Sequence, residues 1–416
     1  MYSWISPDVP LVPATSGDAP STVSVFDTAT QRLVEVHPKD GVARLYVCGI
    51  TPYDATHLGH ANTYVAFDLL NRVWRDLGLE VNYTQNVTDI DDPLLERAQA
   101  TGQDWEELAH SQIELFRSDM EALRVIAPQH YIGAVECIAC VIELIGRLRD
   151  TELVYQIEDA EHPDWYFHVA AAPGFGALSR LDQDEAIAIF AERGGDPQRP
   201  GKKHPLDCLL WRYERTGEPA WESVLGPGRP GWHIECTAIA LKHLGAHFDV
   251  QGGGSDLVFP HHEMCAAQAT AVTGQPLASA CVHSGMVALD GEKMSKSKGN
   301  LELVSRLRQR GADPMAIRLA IMAHHYRSDW EWHPSDLTAA EERLRLWRGI
   351  RNNPAALNAD ESIAELRRAM RTDLDAPKAI AIVDAWAAAS LAIDGDDPEA
   401  IDAMFTAVDA LLGVRV

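Results

Sequence analysis

Residues 44–60 read RLYVCGITPYDATHLGH, and the fold class follows from this segment and its neighbours. Arg44 to Val47 is predicted to form a short buried strand that stops at Cys48-Gly49, and a helix is expected to follow. The apolar residues from Val65 to Leu77 recur at helical spacing, and Val81 to Val87 alternates like a strand. A strand, a helix and a second strand in this order predict a parallel sheet with right-handed crossovers.

The remainder of the chain divides into parts with different patterns. Residues 1–130 are predicted to form an N-terminal extension and the first half of a Rossmann-like α/β catalytic domain, and 131–205 a mixed insertion. Residues 206–290 return to alternating strands and helices, with a last strand near Val287. Residues 291–335 are predicted to be a loop and linker. Only helical patterns remain from Leu303 onward, so 336–416 is predicted to be a helical C-terminal domain.

Composition narrows the class of protein. The 36 basic and 61 acidic residues give a formal net charge of -25, which argues against nonspecific attraction to nucleic acid. The seven cysteines are dispersed and odd in number, a pattern typical of the reducing cytoplasm. The N-terminus has no signal-peptide pattern, and no apolar run approaches the roughly 20 residues of a membrane span. Nothing resembles a dimerisation coil, so a monomer is expected.

The first motif is His57-Leu58-Gly59-His60, which follows the predicted strand and opens the predicted helix. Two imidazoles can donate to phosphate oxygens there, and Gly59 lets a flat base or ribose approach the backbone. The N-terminus of a helix also favours negative charge. The motif predicts a nucleotide site, although the tetrapeptide alone could equally be two histidines at the start of a helix.

The second motif is Lys293-Met294-Ser295-Lys296-Ser297, with the turn pair Asp290-Gly291 before it and Lys298 after it. A mobile loop with lysines suits the charge that develops on phosphate oxygens during adenylyl transfer. A short lysine run alone is more often a solvated loop. Both motifs in one chain, in this order, favour nucleotide chemistry.

The two motifs resemble the signatures of class I aminoacyl-tRNA synthetases, and their surroundings resemble the cysteine-activating branch of that family. The similarity runs from about Val42 to Trp330. It rests on several further motifs: Tyr46-Val47-Cys48-Gly49, Asn86-Val87-Thr88-Asp89-Ile90-Asp91-Asp92, Gly231-Trp232-His233-Ile234-Glu235-Cys236, Gly252-Gly253-Gly254-Ser255-Asp256 and Phe259-Pro260-His261-His262-Glu263. The resemblance implies a class I synthetase catalytic core that uses ATP, with Mg²⁺, to form cysteinyl-adenylate.

The resemblance also implies roles for single residues. His57, His60, Lys293 and Lys296 are expected to serve ATP and the transition state. Asp89, Asp91 and Asp92 are expected to cap a helix, with orientation of an acceptor amine as the alternative. The cysteinyl-adenylate pocket is expected to be lined by Cys48, Gly49, Ile50, Thr51, Thr63, Asn86, Val87, Thr88, Trp232, Gly254, Ser255, Asp256 and Val287.

A third constellation is a candidate metal site. Cys48, Cys236 and His261 are far apart in sequence, but each lies at an end of a predicted strand or helix, where the carboxyl edge of a parallel sheet would gather them. Two thiolates and an imidazole suit Zn²⁺, although dispersed cysteines are more often buried apolar residues. The resemblance implies that these three residues bind one zinc ion. The open fourth position would then accept the thiol of cysteine and exclude serine.

Other cysteines are expected to stay outside this site. Cys265 stands where the tRNA synthetases carry a zinc-associated glutamate, and a permanent fourth ligand would close the site, so it is not expected to be a resting ligand. Cys137 and Cys140 form a C-x-x-C within the apolar stretch Val135 to Leu148. With no second pair nearby, they are expected to be buried core.

The molecule that accepts the activated cysteine is inferred from the C-terminal region and from departures from the motifs of the tRNA enzymes. The tRNA synthetases share this core with the ligases that join cysteine to glucosaminyl-inositol in mycothiol biosynthesis. Residues 352–416 contain five basic and twelve acidic residues, a poor charge for holding RNA phosphates. Ile50 and Pro93 replace the proline and lysine expected in the tRNA enzymes. Glu192-Arg193-Gly194-Gly195-Asp196-Pro197, which has the pattern of a capped helix end, resembles a signature of the small-molecule ligases.

The expected partners are therefore L-cysteine, ATP and glucosaminyl-inositol, with no nucleic acid and no membrane. A cysteinyl-tRNA synthetase is the first alternative. A catalytically silent paralogue that keeps the zinc and the fold is the second, and the intact histidine and lysine signatures argue against it.

Overall fold

The computed structural model describes residues 1–13, 21–53, 56–289, 291–294, 301–392 and 395–416. The chain opens with an antiparallel hairpin that the sequence analysis did not predict, β1 (Val23–Asp27) and β2 (Arg32–Val36). The first half of the catalytic region then consists of β3 (Val42–Val47), α1 (Leu58–Asp76), β4 (Glu80–Val87), α2 (Asp92–Thr101), α3 (Trp105–Ala122) and β5 (His130–Gly133).

The middle of the chain contains a second sheet with flanking helices. Its elements are α4 (Ile138–Arg149), β6 (Val154–Gln156), β7 (Trp165–Phe167), α5 (Gln183–Glu192), β8 (Cys208–Tyr213) and β9 (Gly228–Pro230). The strands pair antiparallel in the order β6-β7-β8-β9, so this sheet extends past residue 205, the predicted end of the mixed insertion.

The parallel sheet is then completed and followed by helices. The completing elements are α6 (Trp232–Leu244), β10 (Phe248–Gly254), α7 (Glu263–Thr273), β11 (Ala278–Ser284), β12 (Val287–Leu289) and β13 (Glu292–Lys293). The C-terminal elements are α8 (Val304–Gln309), α9 (Pro314–Met322), β14 (Trp330–Glu331), α10 (Pro334–Ile350), α11 (Asp360–Arg371), α12 (Ala376–Ala392) and α13 (Ala400–Leu412).

The central sheet confirms the predicted α/β fold class. Its strands are parallel and lie in the order β11-β10-β3-β4-β5. The chain first builds outward from β3 to β4 and β5, and later adds β10 and β11 on the other side of β3. The strand order therefore reverses between β3 and β10. In such sheets a ligand binds outside the carboxyl ends of the strands at this reversal.

The predicted secondary structure differs from the structure in two details. The strand predicted near Val287 is present as β12, but it belongs to a small separate sheet with β13 and β14, and the last strand of the central sheet is β11, which was not predicted. The sequence of β11, ASACVHS, has small and polar residues with no clear alternation, and the N-terminal hairpin covers it: Thr28 N–H donates to Cys281 O at 2.8 Å. The helical region after Leu303 is also interrupted by β14, which pairs with β12 through Trp330 and Val287.

The C-terminal helices share one apolar core with the sheet and α1. Two arginines cross this core, and both are completely buried. Arg72 of α1 pairs with Asp68 at 2.7 Å and donates to the carbonyl of Asp409 at 2.8 Å. Arg318 of α9 contacts the same carboxylate and donates to the carbonyl of Leu412 at 2.7 Å. These contacts fasten the end of α13 to α1. In the described part of the chain, no helix is long and apolar enough to cross a bilayer.

Candidate active site and metal centre

A cavity of about 470 Å³ opens at the carboxyl ends of β3, β4 and β10, the position that the strand order predicts. Its walls come from the first signature, from the turns after the three strands, and from the segments on either side of the second signature. The lining residues are Cys48, Gly49, Ile50, Thr51, Tyr53, His57, Gly59, His60, Thr63, Tyr64, Asn86, Thr88, Trp232, Cys236, Gly254, Asp256, Leu257, His261, Gly285, Met286, Val287, Met294 and Leu301.

The turn after β3 is held open by Asn86 at the end of β4. The side-chain oxygen of Asn86 accepts hydrogen bonds from Gly49 N–H at 2.8 Å and from the Tyr46 hydroxyl at 3.2 Å. A Cβ on Gly49 would lie 1.6 Å from the Asn86 carbonyl oxygen, so only glycine fits there. The side-chain amide of Asn86 donates to Thr88 Oγ1 at 3.1 Å. Cys48 and Thr88 therefore enter the cavity from two adjacent strands.

The first signature lies at the start of α1, as predicted. His57 is the N-cap residue, and its Nδ1 accepts from Gly59 N–H at 3.1 Å. The rings of His57 and His60 stack with centroids 3.9 Å apart at the cavity wall. One turn further on, Thr63 Oγ1 lies 2.7 Å from Ser284 Oγ at the end of β11. The start of α1 therefore presents two imidazoles beside backbone N–H groups.

The segments around the second signature pack against the first. Met294 is buried in the cavity wall, and its N–H donates to Val287 O at 3.4 Å. Leu58 N–H donates to Glu302 O at 3.0 Å. The backbone of Lys293 pairs with Ala288 in the β12–β13 hairpin. Residues 295–300, which include the predicted catalytic Lys296, lie outside the described residues.

The candidate metal ligands come together at the base of the cavity. The ligand atoms of Cys48, Cys236 and His261 lie within 4.8 Å of one another, and all three residues are buried. The two sulfurs are 4.0 Å apart. Tetrahedral Zn²⁺ with Zn–S bonds of about 2.3 Å places two sulfurs about 3.8 Å apart. The donor set and its spacing therefore fit a metal ion with little movement.

The charges of the three groups are coupled. Burial, reinforced by the hydrogen bond with Cys236, raises the pKa of the Cys48 thiol well above its usual value. Burial has the same tendency at Cys236, but the hydrogen bond from Cys48 and the charge of His261 hold the pKa of the Cys236 thiol well below its usual value. Burial opposes protonation of His261, yet Cys265 and Cys236 raise its pKa well above normal. These shifts favour a thiolate at Cys236 beside a protonated His261.

Neighbouring rings fix the position of His261. Its Nδ1 lies 3.1 Å from Nδ1 of His233, which leaves Nε2 as the nitrogen for a metal. Trp232 stacks on the His261 ring with a centroid separation of 4.5 Å. Trp232 also lines the cavity, so it both forms the pocket wall and supports a candidate ligand.

A chain of buried hydrogen bonds leads away from Cys48. Cys48 Sγ lies 3.1 Å from Nε2 of His262, and Nδ1 of His262 lies 2.7 Å from Nε2 of His283. Nδ1 of His283 lies 2.6 Å from Thr28 Oγ1 in the N-terminal hairpin. Gln251 donates to Cys48 Sγ at 3.5 Å. No sequence pattern identifies this second layer of contacts, since its residues lie in four separate parts of the chain.

The other cysteines differ from one another. Cys265 does not belong to the three-ligand group, and its thiol donates to the His233 carbonyl at 3.3 Å. Cys137 is buried, as expected for core. Cys140 is only half-buried, and Lys242 Nζ lies 3.0 Å from its sulfur. The expectation that both members of the C-x-x-C are buried core is therefore wrong for Cys140, because its helix turns that position toward Lys242.

The acidic cluster behind β4 has mostly structural contacts. Asp91 is the N-cap of α2 and accepts from Asp92 N–H at 2.8 Å, as predicted. Asp89 accepts from Val135 N–H at 2.9 Å. Burial raises the pKa of both Asp89 and Asp91 to about 6. Glu235 is completely buried beside them, and burial together with Asp91 raises its pKa well above normal.

The structure places most of the predicted pocket residues in the cavity wall, with two exceptions. The side chain of Val87 lies in the core, because side chains alternate along β4 and those of Asn86 and Thr88 face the cavity. Ser255 begins a short 3₁₀ turn and is not part of the wall. Seven wall residues were not predicted: Tyr53, Tyr64, Leu257, Gly285, Met286, Met294 and Leu301. Met294 belongs to the second motif but was given no role, and the other six are single positions that carry no signal of their own.

One ligase-like sequence feature has a structural link to the site. The segment 192–197 follows the end of α5, as its glycines and proline indicate. Arg193 donates to the carbonyl oxygens of Asp256 and Phe259. These carbonyls belong to the turn that joins β10 to the His261 segment. Arg193 therefore holds the turn that carries both a cavity residue and a candidate metal ligand.

Comparisons with known proteins agree with this geometry. Residues 34–342 match the sequence profile of the family described as "tRNA synthetases class I (C) catalytic domain". The M. tuberculosis methionyl-tRNA synthetase bound by methionyl-adenylate has a similar fold, with a TM-score of 0.62 and 14% identity over 89% of this chain and 92% of that one. The LeuRS–tRNA–LeuAMS complex of Agrobacterium radiobacter K84 gives a TM-score of 0.65 at 12% identity over 91% of this chain and 84% of that one.

Much closer sequence relatives span the whole chain. The protein named "L-cysteine:1D-myo-inositol 2-amino-2-deoxy-alpha-D-glucopyranoside ligase" from Streptosporangium roseum is 60% identical, with 100% of both chains covered. Proteins of the same name from Thermobispora bispora and Kribbella flavida are 59% and 57% identical, again over 100% of both chains. The chain therefore belongs to the family of L-cysteine:1D-myo-inositol 2-amino-2-deoxy-alpha-D-glucopyranoside ligases, enzymes built on the class I synthetase catalytic domain.

Proposed function

We propose that the enzyme activates L-cysteine with ATP and transfers the cysteinyl group to the amine of glucosaminyl-inositol. In the first step a carboxylate oxygen of cysteine attacks the α-phosphorus of ATP, and pyrophosphate leaves. In the second step the sugar amine attacks the carbonyl carbon of cysteinyl-adenylate, AMP leaves, and the amine loses a proton as the amide forms. The observation that carries this proposal is the meeting of a Cys-Cys-His cluster and the first ATP signature in one cavity.

The start of α1 supports a role in binding ATP. His57 and His60 lie beside the helix N-terminus, where imidazole and backbone donors favour phosphate oxygens. Gly254 and Asp256 stand at the end of β10 on the opposite wall. We propose that the triphosphate binds along α1 and that the adenosine lies toward Gly254. Lys293 and Lys296 are proposed to stabilise the charge that develops on the phosphates, with Mg²⁺ as a counter-ion.

The base of the cavity supports the choice of amino acid. Cys48, Cys236 and His261 would hold Zn²⁺, whose remaining coordination position would take the substrate thiol as thiolate and so discriminate against serine. Trp232 holds the His261 ring by stacking, and Thr88 and Asn86 shape the adjoining wall. These residues orient cysteine so that its carboxylate faces the ATP side of the cavity.

The acceptor proposal rests on charge and on the relatives. The C-terminal region, 352–416, is acidic and offers little to an RNA backbone. Relatives of equal length at 55–60% identity carry the name of the amino-sugar ligase. Arg193, within the ligase-like segment, holds the turn beside the cavity. An amino sugar is therefore the acceptor that fits these features better than tRNA.

The test has two parts. Cysteine-dependent exchange between ATP and pyrophosphate measures activation, and AMP release with glucosaminyl-inositol or with tRNA measures transfer. We expect exchange with cysteine, none with serine, and AMP release with the amino sugar alone. AMP release only with tRNA would make the enzyme a cysteinyl-tRNA synthetase, and the absence of exchange would support a silent zinc-binding paralogue. In the exchange assay, the variant Cys236→Ala removes one candidate metal ligand. Its matched control is Cys208→Ala, since Cys208 is a buried thiol that contacts Gln268 outside the cluster.

We also propose that the enzyme is a cytoplasmic monomer. All seven cysteines are free thiols, as in proteins of a reducing compartment. Sedimentation at micromolar concentration tests the oligomeric state, and a dimer mass would reject the monomer.

A further inference from the structure

The C-x-x-C pair lies at the start of α4, which packs against α6. Cys137 is the N-cap residue of α4 and is only 1% exposed. Cys140 is three residues later and half-buried. Residues three apart at a helix start have Cα atoms about 5 Å apart, within the range of about 4.4–6.8 Å that a disulfide bridges. The pair is thus preorganised for an internal disulfide.

A lysine from a neighbouring helix contacts the exposed member of the pair. Nζ of Lys242, in the last turn of α6, lies 3.0 Å from Cys140 Sγ. This hydrogen bond raises the pKa of Lys242, so the side chain is an ammonium that donates to the sulfur. An ammonium beside a sulfur stabilises the negative charge that this sulfur carries when it attacks a disulfide or leaves from one. Cys140 therefore has the surroundings of a reactive thiol.

The two thiols differ in a way that suits separate roles. Burial, with the hydrogen bond to Cys140 next in size, raises the pKa of Cys137 far above normal, so this thiol stays protonated while its neighbour reacts. Cys140 is the more exposed of the two residues, since Cys137 is buried. This division matches an exposed attacking thiol and a buried resolving thiol.

We propose that Cys137 and Cys140 form a redox-active dithiol, a modification site that reacts with small-molecule disulfides and closes into an internal disulfide. The thiolate of Cys140 attacks one sulfur of the disulfide RSSR, forms a mixed disulfide and releases one RS⁻. The thiol of Cys137 then gives its proton to solvent and attacks the Cys140 sulfur, which releases the second RS⁻. The dithiol loses two electrons and two protons, and RSSR is reduced to two thiols.

The chain provides an internal reference in Cys281. Cys281 is also half-buried, but its neighbour is the carboxylate of Asp27, whose Oδ1 accepts from Cys281 N–H at 2.9 Å. Burial, with Asp27 adding to it, raises the pKa of Cys281 to about 12. Cys281 and Cys140 are both half-buried, but Cys281 contacts a carboxylate and Cys140 an ammonium. The reaction rate of Cys140 is therefore compared with that of Cys281.

The experiment exposes the full-length enzyme to bis(2-hydroxyethyl) disulfide at pH 7.5. Samples are quenched with iodoacetamide over time, and the modification of each cysteine-containing peptide is measured by mass spectrometry. We expect Cys140 to react about tenfold faster than Cys281. The wild-type enzyme should lose two thiols and keep no adduct at this pair. Cys137→Ser and Cys137→Ala should both keep the adduct on Cys140.

Lys242→Gln should slow the reaction of Cys140 about threefold or more, because it removes the ammonium. Lys378→Gln, a change at an exposed lysine of α12, is the matched control and should leave the rate unchanged. Equal rates for Cys140 and Cys281 would overturn the proposal. A stable adduct on Cys140 of the wild-type enzyme, with Cys137 still free, would overturn it as well.

Discussion

Cys48 Sγ and Cys236 Sγ lie 4.0 Å apart although 188 residues separate them in the chain. The turn after β3 supplies the first sulfur and the second turn of α6 supplies the other. The sheet therefore brings together a candidate pair of metal ligands that neither segment contains alone.

The first prediction concerns this pair. Cys236→Ala should remove most of the bound zinc and reduce cysteine-dependent pyrophosphate exchange at least a hundredfold, since a site with two ligands binds metal weakly. Metal analysis of the purified protein and the exchange rate are the two measurements. Cys208→Ala should retain both properties. Full metal content in Cys236→Ala would show that the ion binds elsewhere.

The second prediction concerns His262, which contacts Cys48 Sγ at 3.1 Å and is itself held by His283. His262→Gln should weaken zinc affinity about 10- to 100-fold, because groups that hydrogen-bond to a ligand orient it and adjust its basicity. Competition with a chelator of known affinity measures the change. The control is His247→Gln, at a half-buried ring that contacts Ser279 and is not part of the cluster. Equal zinc affinities in the two variants would show that His262 does not support the candidate metal site.

The third prediction is a pH dependence of stability from Asp89. Burial raises the folded-state pKa of Asp89 to about 6 from the ordinary 3.8. The folded protein therefore holds this proton more tightly than the unfolded chain, and stability falls as the pH rises from 3.8 to 6. Asp89→Asn keeps an acceptor for Val135 N–H and abolishes this loss.

Urea unfolding of both proteins at pH 5 and pH 8 tests this prediction. Between pH 5 and pH 8 the free energy of unfolding of the variant should rise by about 1.4 kcal/mol relative to that of the wild type. The reason is that the folded-state pKa of Asp89 lies about one unit above pH 5. If the free energies of unfolding of variant and wild type differ by the same amount at both pH values, Asp89 is not protonated in the folded enzyme at pH 5.

The fourth prediction concerns Asp68, whose carboxylate is shared by Arg72 and Arg318. Burial opposes its ionisation, but the two guanidinium groups lower its pKa below normal. Asp68→Asn would leave two buried cations without a counter-ion and should destabilise the fold by about 3–5 kcal/mol. Asp402→Asn removes the partner of an exposed ion pair with Arg351 and should cost less than about 1 kcal/mol. Urea midpoints that fall together for both variants would contradict the proposed role of Asp68.

Much of the site could be predicted because its parts lie at the ends of regular elements. His57 and His60 follow a recognisable strand and open a helix whose apolar spacing is clear, so their location was correct. The grouping of Cys48, Cys236 and His261 came from family resemblance together with the sheet edge. Local patterns specify such positions, and the parallel topology brings them together.

The rest depends on contacts that no local pattern encodes. The N-terminal hairpin covers strand β11, and the sequence of β11 shows no alternation of apolar and polar residues. The end of β11, where Ser284 lies beside Thr63, was therefore not predicted. His262 and His283 are distant residues whose contact appears only when β11 lies beside β10. Arg72 and Arg318 have the composition of surface residues, yet both are completely buried, because carbonyl groups of a helix more than 80 residues away accept their hydrogen bonds.

The contact of Arg72 and Arg318 with the end of α13 has a consequence for modularity. The carbonyl groups of Asp409 and Leu412 complete the environment of two cations inside the catalytic half of the molecule. A truncation before α13, or its exchange for an unrelated helix, would strand these cations in an apolar core. The tail and the synthetase core therefore share one set of buried contacts, and we expect them to fold, and to be engineered, as one unit.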